Sequence, residues 1–359
     1  VTRVSDQVTV RYDDEEVAMR SRSTRRSRRT GLVLGAGGIL GSAWTTGALA
    51  ALAPRLDRPL GELDLVLGTS AGSVLGAALR CGMTVEELVA HQRGAAPADI
   101  DPGFAGTGLP DMRTLEKESG DGLPPVPLPW MGSPRLLASA VTHPGSIDPV
   151  VAASALVPAG RGRMSSLIRM VGALQTRLGV TTDGWVPGAP LWIAAVDYDS
   201  GRRTVFGREG APPAAVGDAV LASCSIPGWF APQPIGGRRY VDGGVRSSTS
   251  TALLAEDGAP PLDEVYVLAP MASHAYDRPR HPLCAAERTV RRVLTRWLDA
   301  EVTAVRARGV AVTVLTPGPD DLAAMGGNLM NPRRRERVLD TSLATSAAAL
   351  AGGGAAAAA

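Results

Sequence analysis

Short apolar runs without charge alternate along the chain with longer segments that carry apolar residues at helical spacing. Gly31–Leu34 is such a run and stops at a glycine-rich turn, the pattern of a buried parallel strand. Residues 42–53 then suit a helix. Leu63–Leu67 predicts a second strand, followed by a turn at Gly68–Gly72 and an apolar helix through Leu79. Leu191–Val196, Glu264–Ala269 and Val310–Leu315 predict further strands, with Arg203–Phe206 pairing beside the first of these. Residues 287–306 show Val290, Val293, Leu294, Trp297, Leu298, Val302 and Val305, a helical stripe between arginines and acids. Strands alternating with helices predict an α/β fold, a mostly parallel central sheet with helices on both faces.

Residues 94–190 break this rhythm. They are rich in Pro and Gly, as in Pro124-Pro125-Val126-Pro127-Leu128-Pro129-Trp130, and read as an insertion or cap over the sheet. Within them, Met164, Leu167, Ile168, Val171, Leu174 and Leu178 lie among Arg161, Arg163, Arg169 and Arg177. That is a basic amphipathic helix, either packed on its own domain or of the kind that lies on a membrane surface. Residues 1–30 combine Asp13, Asp14, Glu15 and Glu16 with an arginine run and read as a disordered tail. Residues 347–359 are Ala and Gly apart from Leu350 and read as a frayed, low-complexity end. One domain, 31–346, remains between them, with the insertion inside it.

Composition narrows the function classes. The 359 residues carry 37 Lys+Arg against 35 Asp+Glu, a formal net charge of +2, which argues against a dedicated nucleic-acid binder. Hydrophobic residues make up 45%, enough for a full core, and aromatics only 4%, so that core is mostly Ala, Val and Leu. Cys81, Cys224 and Cys284 are far apart, which excludes a disulfide framework and a zinc ribbon and fits a reducing, cytoplasmic setting. His91, His143, His274 and His281 show no metal-ligand spacing, so neither a metal nor another cofactor is called for. Thr30–Pro54 is uncharged and follows six arginines within 20–29, which alone resembles a basic region before a signal peptide or membrane span.

Three segments carry candidate chemistry. Gly68-Thr69-Ser70-Ala71-Gly72 is a G-x-S-x-G between a predicted strand and a helix. A serine there projects from a sharp turn, with small neighbours for the backbone and a helix N-terminus behind it. The bland alternative is a tight turn that contains serine. Gly35-Ala36-Gly37-Gly38-Ile39-Leu40-Gly41 offers bare amides for an oxyanion or a phosphate. It is also a variant of the dinucleotide fingerprint, but the acid that a nucleotide-binding oxidoreductase needs at the end of the second strand is replaced by Ser70. Tyr240-Val241-Asp242-Gly243-Gly244 holds an acid between a short strand and two glycines, or forms an ordinary Asp-Gly turn. None of the four histidines stands in comparable company.

In this order the three segments resemble the patatin-like phospholipase family. Ala222-Ser223-Cys224-Ser225-Ile226-Pro227 resembles the family's Ala-Ser-x-x-x-Pro stretch, and Val196-Asp197 with Ser200-Gly201 and Val205-Phe206 resembles its strand pair. The resemblance spans about 31–270. It implies a patatin-like three-layer fold and a serine lipid acyl hydrolase with a Ser–Asp dyad. Ser70 would be the nucleophile and Asp242 the general base, with the amides of Gly37, Gly38 and Ile39 as oxyanion hole. Gly35, Gly41, Gly68, Gly72, Gly243 and Gly244 are the motif glycines. The implied partner is a phospholipid or other acyl-ester lipid, with peripheral membrane contact through the basic helix. Three positions depart from the family: Ala36 replaces a glycine, Leu40 replaces the basic residue expected to brace the loop, and Arg246-Ser247-Ser248 follows the D-G-G where Asn and Pro are usual. The Leu40 departure keeps a catalytically weak lipid-binding member as an alternative, and an NADP-binding oxidoreductase as a remote one.

Overall fold

The computed structural model describes residues 28–95, 130–143, 145, 147–162, 164–177, 179, 181 and 184–351. The chain opens with β1 (Thr30–Leu34), α1 (Gly38–Leu52), β2 (Leu65–Thr69), α2 (Ala71–Arg80) and α3 (Val85–Gln92). Three helices follow, α4 (Pro134–Thr142), α5 (Pro149–Ser154) and α6 (Ser165–Arg177), then β3 (Leu191–Asp197), β4 (Arg203–Phe206) and α7 (Val216–Cys224). The last part holds β5 (Gln233–Ile235), β6 (Arg238–Asp242), β7 (Glu264–Leu268), α8 (Pro282–Arg306), β8 (Ala311–Leu315), α9 (Pro319–Met325) and α10 (Arg335–Ala351).

All strands join one sheet in the order β5-β6-β3-β2-β1-β7-β8, with β4 also on β3. The run β3-β2-β1-β7-β8 is parallel, whereas β4 and β6 pair antiparallel to β3 and β5 antiparallel to β6. Side chains alternate across each strand. Leu32, Leu34 and Val66 therefore enter one apolar layer with α1, α2, α7 and α10, and Val33, Leu65, Leu67, Val265 and Val267 enter another with α8. Helices thus cover both faces, as the alternating pattern predicts. The uncharged stretch at 30–54 divides into β1, buried in mid-sheet, and α1 against α10, where Ser342 Oγ donates to Trp44 O at 2.7 Å. No helix among the described residues is long and apolar enough to cross a membrane.

Several expectations shift. α1 begins at Gly38 rather than 42, directly from the glycine turn, so Gly38 and Ile39 form its first turn. The stripe expected on 287–306 is split, with Leu298, Val302 and Val305 buried and Val290, Val293 and Trp297 exposed. Arg288 and Arg291 take the buried positions because their guanidinium groups find carboxylate and carbonyl acceptors there. Part of the apolar face of α6 packs on the protein itself, with Met170, Val171, Ala173 and Leu174 buried in the core and Arg177 paired with Glu87 at 3.1 Å, while Ile168 is exposed. Leu136 and Val151 of α4 and α5 pack with Val196, Tyr198 and Val241. The proline run 124–129, Arg163 and Leu178 lie outside the described residues, as does the chain before 28. At the end of the arginine run, Arg28 and Arg29 pair with Glu264 and Asp263 at 3.6 and 3.1 Å. α10 extends to Ala351, into the segment expected to fray.

Candidate active site

Strand register brings the serine to the aspartate. β3 pairs with β2 through Thr69↔Ala194 and with β6 through Ala195↔Asp242. Ile193 and Ala194 pair with both β2 and β4, and Ala195 and Val196 pair with both β4 and β6. β2 and β6 therefore share one edge of β3 and meet there head to head. Ser70 follows Thr69, so it emerges where Asp242 ends its own strand. The fit is close, because a Cβ on Gly243 would stand 2.4 Å from Ala194 O and 3.2 Å from Thr69 Cγ2.

Ser70 turns the chain from β2 directly into α2 with φ 53° and ψ −124°. Such a conformation costs a non-glycine residue about 1–3 kcal/mol and persists only when its surroundings hold it. Here its amide donates to Ser223 Oγ at 2.9 Å, and Ser223 in turn donates to Ala194 O at 2.7 Å. Its carbonyl accepts from Ser73 N at 2.8 Å and Ser73 Oγ at 2.7 Å. The Ser70 side chain makes no capping bond to its helix. The small flanking positions are steric requirements: a Cβ would lie 2.5 Å from Ser73 Cα at Gly68 and 2.0 Å from Leu34 O at Gly72.

Asp242 is 4% exposed. Its amide donates to Ser225 O at 3.0 Å, and its Oδ1 accepts from Gly244 N at 2.7 Å. Burial pushes its carboxyl up to about 6, and the nearby Ser70 hydroxyl and the bonded Gly244 amide only partly oppose this. A base that titrates near neutrality is suited to accept a proton from a hydroxyl. Cys224, fully buried beside Ser73 and Ser70, is held well above the ordinary thiol range by burial and by the Asp242 charge, so it stays protonated.

The glycine-rich loop closes the third side. Gly72 stands against Leu34 O and Gly35 O, and a Cβ on Gly244 would touch Ala36 Cβ at 3.4 Å. Four loop amides are engaged: Gly35 with Leu268 O at 2.9 Å, Ala36 with Ser248 O at 2.7 Å, and Leu40 and Gly41 with Leu329 O and Gly37 O, both at 2.9 Å. Between them, the amides of Gly37, Gly38 and Ile39 have no acceptor among the described residues. They lie at the N-terminus of α1, where partial positive charge favours an anion. Of the departures from the expected motif, Leu40 buries its side chain in the core, and Ser248 contributes a backbone carbonyl, which any residue can supply.

His274 pairs with Asp299 at 2.9 Å, and His281 accepts from Leu283 N at the start of α8, so both are occupied away from the site. Ser223 was quoted in the sequence only as part of a matching stretch. Its role as the anchor of the Ser70 amide depends on pairing across 153 residues, which no local pattern reports. The contacts of Ser248 O with Ala36 N and of Pro270 with Gly37 and Gly41 are long-range in the same way.

Solved structures similar to this chain include two distant ones. VipD from Legionella pneumophila aligns at 13% identity and a TM-score of 0.37, covering 88% of this chain and 67% of that one. The type III effector protein ExoU aligns at 18% identity and a TM-score of 0.34, covering 90% of this chain, which spans about half (53%) of that one. The family comparison is direct. A sequence model of the patatin-like phospholipase family matches residues 32–255, a span that contains the glycine-rich loop, the Ser70 elbow and Asp242. The chain belongs to the patatin-like phospholipase family.

Proposed function

We propose that the protein is a serine hydrolase of acyl-ester lipids, phospholipids or lysophospholipids among them, working through a Ser70–Asp242 dyad. Ser70 Oγ attacks the acyl carbonyl while its proton passes to Asp242. The amides of Gly37, Gly38 and Ile39 receive the oxyanion, each such donor contributing about 3–4 kcal/mol in the transition state. As the tetrahedral intermediate collapses, Asp242 returns the proton to the leaving alkoxide and an acyl-enzyme remains. Water then attacks the acyl-enzyme, giving its proton to Asp242, which passes it to Ser70 Oγ as the fatty acid departs.

One observation carries this reading: a buried carboxylate raised to about 6 beside a serine in a strained, doubly anchored turn. Among the described residues no cation offsets the burial of Asp242. The test is labelling by a fluorophosphonate probe. Wild-type protein should label and cleave a short-chain acyl ester, and Ser70→Ala should lose the label and about 10⁶-fold in turnover. Folded wild-type protein that takes no label ends the hydrolase reading.

A further inference from the structure

The first half of α8 is inverted. Arg288 and Arg291 are 2% and 1% exposed, while Leu283, Val290, Val293 and Trp297 face outward. Burying a guanidinium costs several kcal/mol unless its donors are satisfied, so the partners of these two arginines define what they do. Arg291 donates through Nε and Nη2 to Glu287 at 3.0 and 2.6 Å, and through Nη1 to Pro270 O and to Ala272 O, the latter at 3.2 Å. Arg288 donates to the Asp277 carboxylate at 2.7 and 3.1 Å, to Leu322 O at 2.6 Å and to Gly326 O at 2.9 Å, and shares Glu287 with Arg291.

Both sets of carbonyls lead to the glycine-rich loop. The Pro270 ring lies against it: a Cβ on Gly37 would come within 2.9 Å of Pro270 Cγ, and one on Gly41 within 3.3 Å of Cβ. From Gly326 the chain continues to Leu329, whose carbonyl takes the Leu40 amide at 2.9 Å, and to Met330, whose Sδ would stand 2.7 Å from a Cβ on Gly38. Leu40 turns its side chain into the core, so the loop brings no cation of its own.

We infer that Arg291 and Arg288 are positioning residues for the Gly37–Ile39 amides, Arg291 by holding Pro270 beneath the loop and Arg288 by holding the 322–330 strap that takes the Leu40 amide. Glu287 couples the two. The consequence for turnover rests on the hydrolase reading; the bracing of the loop does not.

The experiment uses the full chain and three variants: Arg291→Lys, Pro270→Ala and Arg80→Lys. Lysine keeps the charge but cannot span two carbonyls with a planar fork. Arg80 is the control, because it is also buried and also grips carbonyls, those of Gly61, Leu63 and Pro190, away from the loop. Amide hydrogen exchange at Leu40 and Gly41, the loop amides that hold acceptors beside Gly37–Ile39, should quicken about tenfold in Arg291→Lys and Pro270→Ala and stay at the wild-type rate in Arg80→Lys. On a soluble acyl ester the first two should lose about 10–100-fold in kcat with KM within twofold, since a small displacement of positioned groups has that effect. Wild-type loop exchange in both Arg291→Lys and Pro270→Ala overturns the inference, as does equal quickening in Arg80→Lys. Should Arg291→Lys fail to fold, Pro270→Ala decides alone. Loop exchange that responds in a protein with no turnover and no label supports the bracing and removes the hydrolase reading instead.

Discussion

Asp64 and Asp242 stand at opposite ends of the same sheet, and each accepts a backbone amide, from Thr30 and Gly244 respectively, at 2.7 Å. They titrate in opposite directions. Burial pushes Asp64 up, but the Thr30 amide and Arg58 more than reverse it, and the carboxyl lies below the ordinary range. Asp242 has the Gly244 amide and the Ser70 hydroxyl but no cation, and burial holds it near 6. A neighbouring guanidinium is what separates a carboxylate that anchors a strand end from one that can take a proton. The same contrast extends around each aspartate: Arg80 satisfies three carbonyls near Asp64, whereas the Asp242 end holds a strained serine and three amides without an acceptor among the described residues.

The sharpest way to break this contrast is Asp242→Asn. Turnover should fall about 10³–10⁴-fold, as expected for loss of a general base. Stability should move the other way. A folded-state value raised from 3.8 to about 6 means that wild type is favoured at low pH and loses stability as pH rises through about 6. The variant escapes this loss, so at pH 8 it should be up to about 3 kcal/mol more stable than wild type, with the gap closing below about pH 4. Urea unfolding at the two pH values reads this out, and equal stability at both would mean that Asp242 carries no burial strain.

A smaller effect appears in the pH profile of the wild type. kcat/KM on a soluble ester should be flat above about pH 7 and fall tenfold per unit below about pH 6 as Asp242 protonates. A profile flat to pH 5 would remove Asp242 as the base. Smallest is Arg58→Ala, at the other end. Asp64 is lowered, so its contribution is present at neutral pH and is lost on acidification through its folded value. The pair is partly exposed and screened, so the variant should cost about 1 kcal/mol at pH 7 and leave kcat unchanged. A change in kcat would show that the two ends are coupled.

The parallel strands, β4, β6 and the three motif segments are legible because each is local, whereas the three-residue β5 is not. An apolar run ending in glycines reports a buried strand, and Gly68 and Gly72 report a turn with no room for a Cβ. The start of α1 was read late because Gly38 and Ile39 look like loop, although Gly37 lets a helix begin at once. α8 was read with its valines toward the core. Arginine belongs on the surface by composition, and nothing near Arg288 or Arg291 in sequence announces the carbonyls of Pro270, Leu322 and Gly326. Ser223 and Ala194 hold Ser70 through register, a property of pairing that no window contains.

The family match ends at residue 255, yet β1 is flanked by both β2 and β7, and α1 rests on α10 through Ser342 and Trp44. This order has a temporal meaning. The proposed nucleophile is among the first parts of the site to leave the ribosome, but Asp242 and Pro270 come much later and the support for α1 later still. At 5–20 residues per second, the roughly 270 residues from Ser70 to Ser342 take on the order of 15–60 s to synthesise. Until Asp242 emerges the serine lacks its proposed base, and until α10 emerges the cradle of amides is unfinished. Ordering the chain this way leaves the proposed centre incomplete until α10 has been made.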